Sequence, residues 1–314
     1  MLNRLRLPAL ALACWAIAGS QIVITSDTES APLSWLWQAP ANLESRDLLH
    51  GEWNVSHAPD PRALFTYLRP KEGGANPGVV VRDPSGRVWH VKQAPNGDKG
   101  DEGPVEVVLS RVLGAVGYHQ PPVYFLPSFA MIGPDGSPRL TAGGRFRLQE
   151  HSLHDIGTWS WHKNPFVGTQ PFNGLLVILL MFNSWDLKDS NNTLYDVRSG
   201  GGLEQWYVVR DLGGALGESG HLRPRRNNID LFERQPFITG IAKDRVRFAY
   251  DGKEPDFLRR AISVSDVRWA ADLMARLTIR QWNDAFLAGG YAPDVANRFI
   301  RKIRANITEA RRLP

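Results

Sequence analysis

The segment "MFNSWDLKDSNNTLY", residues 181–195, ends an apolar run with a group of polar residues. The apolar run stops at Trp185, and a carboxylate (Asp186), an ammonium (Lys188) and an amide (Asn191) follow it. Charged side chains beside a buried segment need partners, and a cluster of them is a candidate functional site. The spacing of this cluster, and what accompanies it elsewhere in the chain, therefore decides the fold class.

Length and composition indicate a globular protein with a large core. The chain has 314 residues, of which 43% are hydrophobic and 22% charged, so one large domain or two lobes fit its length. The net charge is +5 and the sequence pI is about 9.4, a mild basicity that favours an anionic ligand such as a nucleotide or an acidic peptide. No zinc-finger pattern and no aromatic-plus-basic RNA motif occurs, so nucleic acid is not an expected partner.

The N-terminus has the pattern of an export signal. Two arginines precede a short apolar run, Leu7–Ala18, and an A-x-A site predicts cleavage before Gly19. A lipid anchor on Cys14 and an uncleaved anchor are the alternatives, and the leader is the only expected contact with a membrane. We therefore expect residues 1–18 to be a signal peptide and the protein to be exported to the periplasm or beyond the cell. Residues 19–45 are rich in Ser, Thr, Pro and Ala with no clear period, which predicts a linker or a loosely packed lead-in.

The apolar pattern predicts strands and one helix in the first half and a helix-rich second half. A β-hairpin is predicted at residues 77–93 and a helix at 103–118. The run "FNGLLVILLMFNSW" predicts a helix that is buried all round, and Thr278 and Pro293 are predicted to begin two later helices. Further strands are predicted in "PPVYFLPSFAMI", "GRFRLQEH", "NNTLYDV" and "EQWYVV". This order predicts an α+β fold in two parts.

The D-x-K-x-x-N spacing of "DLKDSN" resembles the catalytic loop of protein kinases. Beyond it, Asp211-Leu212-Gly213 follows an apolar strand and resembles the D-F-G motif, with Leu in place of Phe. The resemblance implies that Asp186 orients or deprotonates a hydroxyl acceptor and that Lys188 neutralises charge on the transferring phosphoryl group. It also implies that Asn191 and Asp211 bind magnesium.

The first half of the chain holds candidates for the remaining kinase residues. Lys92, in "VWHVKQ", resembles the V-A-I-K lysine and would hold the phosphates of ATP. Glu106 would be the helix carboxylate that pairs with Lys92. Glu102 is the competitor, but it precedes the expected start of the helix.

The glycine-rich segment that would contact the phosphates, and the differences from the common kinase motifs, indicate a subgroup of kinases. The segment "KEGGANPG", residues 71–78, stands in place of a G-x-G-x-x-G loop, with Gly73, Gly74 and Gly78 as candidate nucleotide-binding residues. No His-Arg pair precedes the candidate catalytic aspartate, and no A-P-E motif follows. The pattern is most similar to that of the atypical kinases, the HipA-like and the secretory-pathway kinases.

The resemblance implies a two-lobed protein-kinase-like fold with ATP and magnesium between the lobes. Residues 46–150 would form a β-rich N-lobe, and residues 151–314 a helical C-lobe with extra C-terminal helices. The expected function is an exported atypical kinase that transfers a phosphoryl group to a hydroxyl of a protein or a small molecule. Because ATP is scarce outside the cell, the alternative is a non-catalytic pseudokinase that binds a ligand or partner in the cell envelope.

Overall fold

The structure is a computed structural model in which strands and helices form a mixed α+β fold, as the sequence predicted. The residues that it describes are 31–74, 76–95, 100–199, 202–219 and 225–314. The expected signal peptide, residues 1–18, lies outside these ranges. Within them, no helix combines the length and the apolar character needed to cross a membrane.

Five strands close into a small barrel. They are β1 (Leu64–Pro70), β2 (Gly78–Arg82), β3 (Val88–Lys92), β4 (Val123–Ile132) and β5 (Pro138–Leu148). Their order is β1-β2-β3-β5-β4, and a parallel pairing of β1 with β4 completes the barrel. Phe65, Trp89, Phe129 and Phe146 are buried in its interior, with ring centroids 5.0–6.1 Å apart in the contacting pairs. Edge-to-face packing of large rings lets a few side chains fill so small a barrel.

Polar residues of β3 and β5 face outward from the barrel. In the register of these strands, His90 lies opposite Arg147, and Lys92 lies opposite Arg145. Residues opposite each other share one face of a sheet, and their neighbours along each strand take the other face. Because the neighbours fill the apolar interior, these four side chains point toward the rest of the protein.

Helix α1 (Glu102–Ala115) packs against β4 and β5 on this side of the barrel. Asp101 caps it by accepting the Gly103 N–H at 2.9 Å, a common use of Asp at a helix start. Glu102 is thus the first residue of the helix, and its placement before the helix was wrong. After Ala115 the chain turns at Gly117, whose φ of 103° favours glycine.

Helix α2 (Gln170–Met181) confirms the prediction of a helix that is buried on every side. All residues from Pro171 to Met181 are buried. Two later helices, α5 (Val264–Ala275) and α7 (Pro293–Arg311), pack against it. The apolar run therefore forms part of the protein core.

A second sheet of three antiparallel strands lies between the barrel and the C-terminal helices in the sequence. It has the order β6-β7-β8, with β6 at Leu153–Gly157, β7 at Asn192–Ser199 and β8 at Gly202–Val209. Strands β7 and β8 were predicted, but no strand was predicted at β6. This edge strand carries no buried residue, so it lacks the apolar alternation by which a strand is recognised.

The last third of the chain contains the predicted helices and also an unpredicted hairpin. Thr278 caps α6 (Ile279–Ala288) in a capping box with Gln281, and Pro293 opens α7, as predicted. The hairpin of β9 (Ile238–Ala242) and β10 (Arg245–Phe248) is short and has only one buried residue, Val246. The remaining elements are α3 (Ile229–Arg234) and α4 (Pro255–Ala261).

Residues 31–45, part of the expected linker at 19–45, pack against the protein core. Leu36 and Leu43 are almost completely buried, and Trp37 donates its indole N–H to Val116 O at 2.8 Å. The linker prediction is wrong for this stretch. Its apolar residues lie on short 3-10 turns, whose spacing gives no strand or helix period.

Candidate functional site

The turn that follows α2 fixes the position of Asp186. Asn183 takes a left-handed φ of 52°, which turns the chain away from the helix axis. The N–H of Trp185 donates to Gly214 O at 3.1 Å, and its carbonyl accepts the Tyr250 hydroxyl at 3.0 Å. Because the N–H and the carbonyl of Trp185 are both hydrogen-bonded to other segments, the backbone position of the next residue, Asp186, is fixed.

Asp186, Lys188 and Asn191 form one bonded group. Asn191 Nδ2 donates to the Asp186 carbonyl at 2.6 Å and lies 3.3 Å from its Oδ2. Lys188 Nζ lies 2.8 Å from the same carboxylate oxygen. Asn191 is buried, whereas the side chain of Asp186 is 30% exposed, so the carboxylate is accessible from the adjoining cavity.

Lys92 is the centre of a second group, on the barrel side of the cavity. Its Nζ contacts Glu106, lies 3.0 Å from Glu102 and 2.7 Å from Asp211. The second oxygen of Glu106 accepts Arg145 Nε at 2.7 Å. Both Glu106, the expected partner, and Glu102, the competitor, therefore contact the lysine. A buried ammonium with three carboxylates around it is well compensated, which such a buried charge requires.

Asp211 connects the two groups. It follows β8, and both its N–H and that of Arg210 donate to Asn191 O, at 3.4 Å and 2.9 Å respectively. Burial acts to raise the pKa of Asp211, but the charge and hydrogen bond of Lys92 outweigh it and lower the pKa to about 2. The carboxylate is therefore ionised throughout the physiological pH range.

The glycine-rich segment between β1 and β2 lines the same cavity. Gly73 and Gly74 take φ values of 70° and 73°, which favour glycine. A Cβ placed on Gly78 would lie 2.1 Å from Val91 O, so the close approach of β2 to β3 requires glycine there. Gly78 therefore shapes the base of the loop, while Gly73 and Gly74 border the cavity.

The cavity between these groups has a volume of about 460 Å³ and a polar lining. Of the residues predicted from sequence, it is lined by Lys92, Asp186, Lys188, Asn191, Asp211, Gly73 and Gly74. The lining also includes Glu102, which the sequence offered as the competitor of Glu106, and residues that sequence reasoning missed: Lys71, Glu72, Asn76, Arg145, Arg147, Ser190, Arg210 and Arg226. The arginines of β5 had a visible signal, since in "GRFRLQ" they alternate with apolar residues.

Oxygen atoms suited to magnesium lie at the junction of the two groups. Carboxylate oxygens of Glu102, Glu106 and Asp211 lie within 4.8 Å of one another. The two carboxylate oxygens of Glu106 already contact Lys92 and Arg145. The side chain of Asp211 is 49% exposed, and its carboxylate can accept further ligand bonds. Magnesium takes one or two carboxylates and keeps several waters. Asp211 fits that preference as one carboxylate ligand, and Asn191, whose backbone carbonyl accepts the Asp211 N–H, lies beside it.

Comparison with known proteins gives limited information on identity. No family model matches the chain, and no curated protein matches it. Among solved structures, a Helicobacter pylori proinflammatory kinase, CtkA, is similar with a TM-score of 0.43 and 13% sequence identity. The alignment covers 80% of this chain and 94% of that one. A likeness this weak does not establish family membership, so the proposals below rest on the geometry of the site.

Proposed function

We propose that this chain is an exported, atypical kinase-like protein that transfers a phosphoryl group from Mg-ATP to a hydroxyl acceptor. The barrel and α1 would form the N-lobe, and the α2-centred region the C-lobe, of a two-lobed kinase-like fold. One observation carries the proposal. Lys92, Asp186, Asn191 and Asp211 come from three separate segments and meet at one cavity bordered by a glycine-rich loop. Export is proposed from the leader pattern alone.

Each residue has a role that follows from its position. Lys92, held by Glu106, would bind donor phosphates, and Asp186 would orient the acceptor hydroxyl and take its proton. Lys188, 2.8 Å from Asp186, would neutralise charge on the transferring group. Asp211 and Asn191 would hold magnesium, which when bound offsets the negative charge of the phosphates.

The charge of the cavity supports a ligand with several phosphates. Its lining contains seven basic and four acidic residues, an excess of three positive charges. Burial, together with repulsion from Arg145 and Arg210, lowers the pKa of Arg147 to about 9. Such an accumulation of positive charge attracts polyanions and would be stabilised by their binding.

The first test is magnesium-dependent nucleotide binding by the protein from residue 19 onward. We expect ATP with magnesium to raise the melting temperature of the wild type and to have no such effect on Asp211→Ala, because this variant lacks the proposed carboxylate ligand of magnesium. The matched control is Asp256→Ala, an exposed aspartate remote from the cavity lining. It should retain the full shift.

A second variant separates binding from turnover. Asp186→Ala should bind Mg-ATP almost as the wild type does but lose phosphoryl transfer by roughly 10²–10⁴-fold, the usual contribution of a catalytic base. Transfer is measured as label moved from γ-labelled ATP onto an acceptor, and intrinsic hydrolysis as the release of labelled phosphate. Undiminished turnover in Asp186→Ala would remove this residue from the mechanism.

One observation favours the alternative, a non-catalytic module of the cell envelope that binds an anionic ligand or partner. The cavity lining consists of charged, polar and glycine residues, whereas a nucleotide base is usually held by apolar side chains. In this reading the basic residues would bind an anion without transferring it. A wild-type protein that shows no shift with ATP and magnesium, but is stabilised by inorganic tripolyphosphate, would favour the alternative.

A further inference from the structure

A second cavity is separate from the polar cavity lined by Lys92, Asp186 and Asp211, which is called the cleft. It lies between the segment before the barrel and the C-terminal half of α1. It has a volume of about 270 Å³, and its lining includes Arg46, Glu52, Ser110, Arg111 and Gly114. None of these residues lines the cleft. The volume lies just below the range of drug-sized ligand pockets, so a small molecule is the appropriate occupant.

Arg111 is a buried cation that forms no ion pair in the part of the chain that the structure describes, although the charge of Asp47 attracts it. It is 5% exposed, and its only hydrogen bond within those ranges is from Nε to Leu49 O, at the long distance of 3.4 Å. Burial lowers its pKa to about 10. A guanidinium has five N–H donors, and a buried charge is stable only when it is paired.

The packing of Arg111 leaves its edges available to a ligand. One side of the guanidinium lies 5.0 Å from the ring centroid of Tyr124. The Gly51 backbone lies close as well, since a Cβ placed there would be 2.8 Å from Nη1 and 3.1 Å from Cζ. Because these groups pack around the guanidinium, Arg111 can bind a ligand in the cavity through the N–H groups that lie in the guanidinium plane. Two parallel N–H groups in one plane match a carboxylate.

The other charged groups of the cavity restrict which anion fits. Arg46 donates from Nη1 to Glu52 Oε1 at 2.9 Å and to Gly114 O at 2.8 Å, so it forms an ion pair within the cavity lining. Asp47 accepts hydrogen bonds from His50 and from the backbone of its own turn. Burial raises the pKa of Glu52 to about 7, so it is mainly the charge of Asp47 that disfavours a doubly charged phosphate, while Glu52 can accept a hydrogen bond from a ligand donor.

We propose that this cavity binds a small monocarboxylate that carries a hydroxyl or ammonium group, with Arg111 holding the carboxylate and Glu52 accepting the donor. The proposal is independent of phosphoryl transfer, because it uses no residue of the cleft. Hydroxy acids and amino acids share the required chemistry, and the choice of probe distinguishes them.

The test is calorimetric titration of the protein with L-lactate, L-serine and inorganic phosphate at constant ionic strength. We expect saturable binding of lactate or serine, and at least tenfold weaker binding of phosphate. In Arg111→Gln the binding should fall roughly tenfold or more, as for loss of a charged hydrogen bond. Circular dichroism checks that the variant is folded.

A second pair of variants tests the cavity without removing a charge. Gly114→Leu should fill the space and abolish binding. Gly240→Leu is the matched control, because it adds the same side chain outside this cavity, where a Cβ would meet no heavy atom within 4 Å. The absence of saturable binding by both lactate and serine up to about 50 mM, far above the range expected for a specific ligand, overturns the proposal. Binding that survives both Arg111→Gln and Gly114→Leu also overturns it, whatever the result with ATP.

Discussion

His90, on strand β3 of the barrel, is close enough to the basic residues of the cleft for their positive charge to affect its pKa. It lies opposite Arg147 in the register of β3 and β5. Burial, and then repulsion by Arg147 and Arg69, lowers the pKa of His90 to about 4. A histidine in this position therefore stays neutral in the folded protein at pH values where the unfolded chain would protonate it.

We expect this histidine to reduce stability as the pH falls from about 6.5 to about 4. In that interval the unfolded state binds a proton at His90 that the folded state does not, so the free energy of unfolding decreases with falling pH. The measurement is urea unfolding between pH 7 and pH 4 for the wild type and His90→Asn, which should lose this component. His151→Asn, at an exposed histidine, is the control. Parallel curves for the wild type and His90→Asn would show that His90 contributes nothing.

At the scale of elements, two neighbouring helices differ in how they begin. In α6 the Thr278 side chain accepts the Gln281 N–H at 3.2 Å, and Gln281 Oε1 accepts the Thr278 N–H at 2.9 Å. Helix α7 begins after Ala292, which has no side chain that can cap. We expect Thr278→Ala to lower the free energy of unfolding by about 1 kcal/mol and Ala292→Ser to raise it by about 0.5–1 kcal/mol. Urea unfolding at pH 7 measures both.

The conservative change Thr278→Ser keeps the side-chain oxygen and serves as the control. It should remain within about 0.5 kcal/mol of the wild type, because Ser and Thr are similar caps. A loss in Thr278→Ser equal to that in Thr278→Ala would mean that the methyl group, rather than the cap, supports the helix.

These caps also explain which elements could be predicted from sequence. Helix starts such as Thr278 and Pro293, the buried run of α2 and the hairpin β2–β3 have signals contained within a few residues. Strand β6 and the hairpin β9–β10 bury little surface of their own, so their sequences carry no clear period. The first turns of the chain, around Leu36 and Leu43, are ordered by distant partners that no local pattern reveals.

The same distinction applies to the candidate site. The grouping of Asp186, Lys188 and Asn191 could be predicted because the three residues lie on one short loop. The contacts of Lys92 with both Glu102 and Asp211 depend on how α1 and β8 pack against the barrel. Sequence separation between Lys92 and Asp211 is 119 residues, and only the tertiary structure specifies such a contact.

At the scale of the whole molecule, the segment before the barrel joins α1 to the C-terminal helices. Arg46 reaches Gly114 O at the end of α1. From the other side, Gln281 of α6 donates to Leu43 O at 2.7 Å and to Arg46 O at 3.0 Å. The segment thus contacts both α1 and α6, and its partner Gln281 lies 238 residues away from Leu43 in the chain.

Leu43 tests whether this connection stabilises the fold or merely lies on its surface. The side chain is fully buried within the main hydrophobic cluster, so Leu43→Ala should lower the free energy of unfolding by about 2–5 kcal/mol. A loss of this size is a large part of the 5–15 kcal/mol that usually stabilises a protein. Leu33→Ala is the control, because Leu33 is 38% exposed and should change stability by less than about 1 kcal/mol. If urea unfolding gives the same small loss for both variants, residues 31–45 behave as the linker that the composition suggested. A loss confined to Leu43→Ala would instead make the segment an integral part of the folded unit.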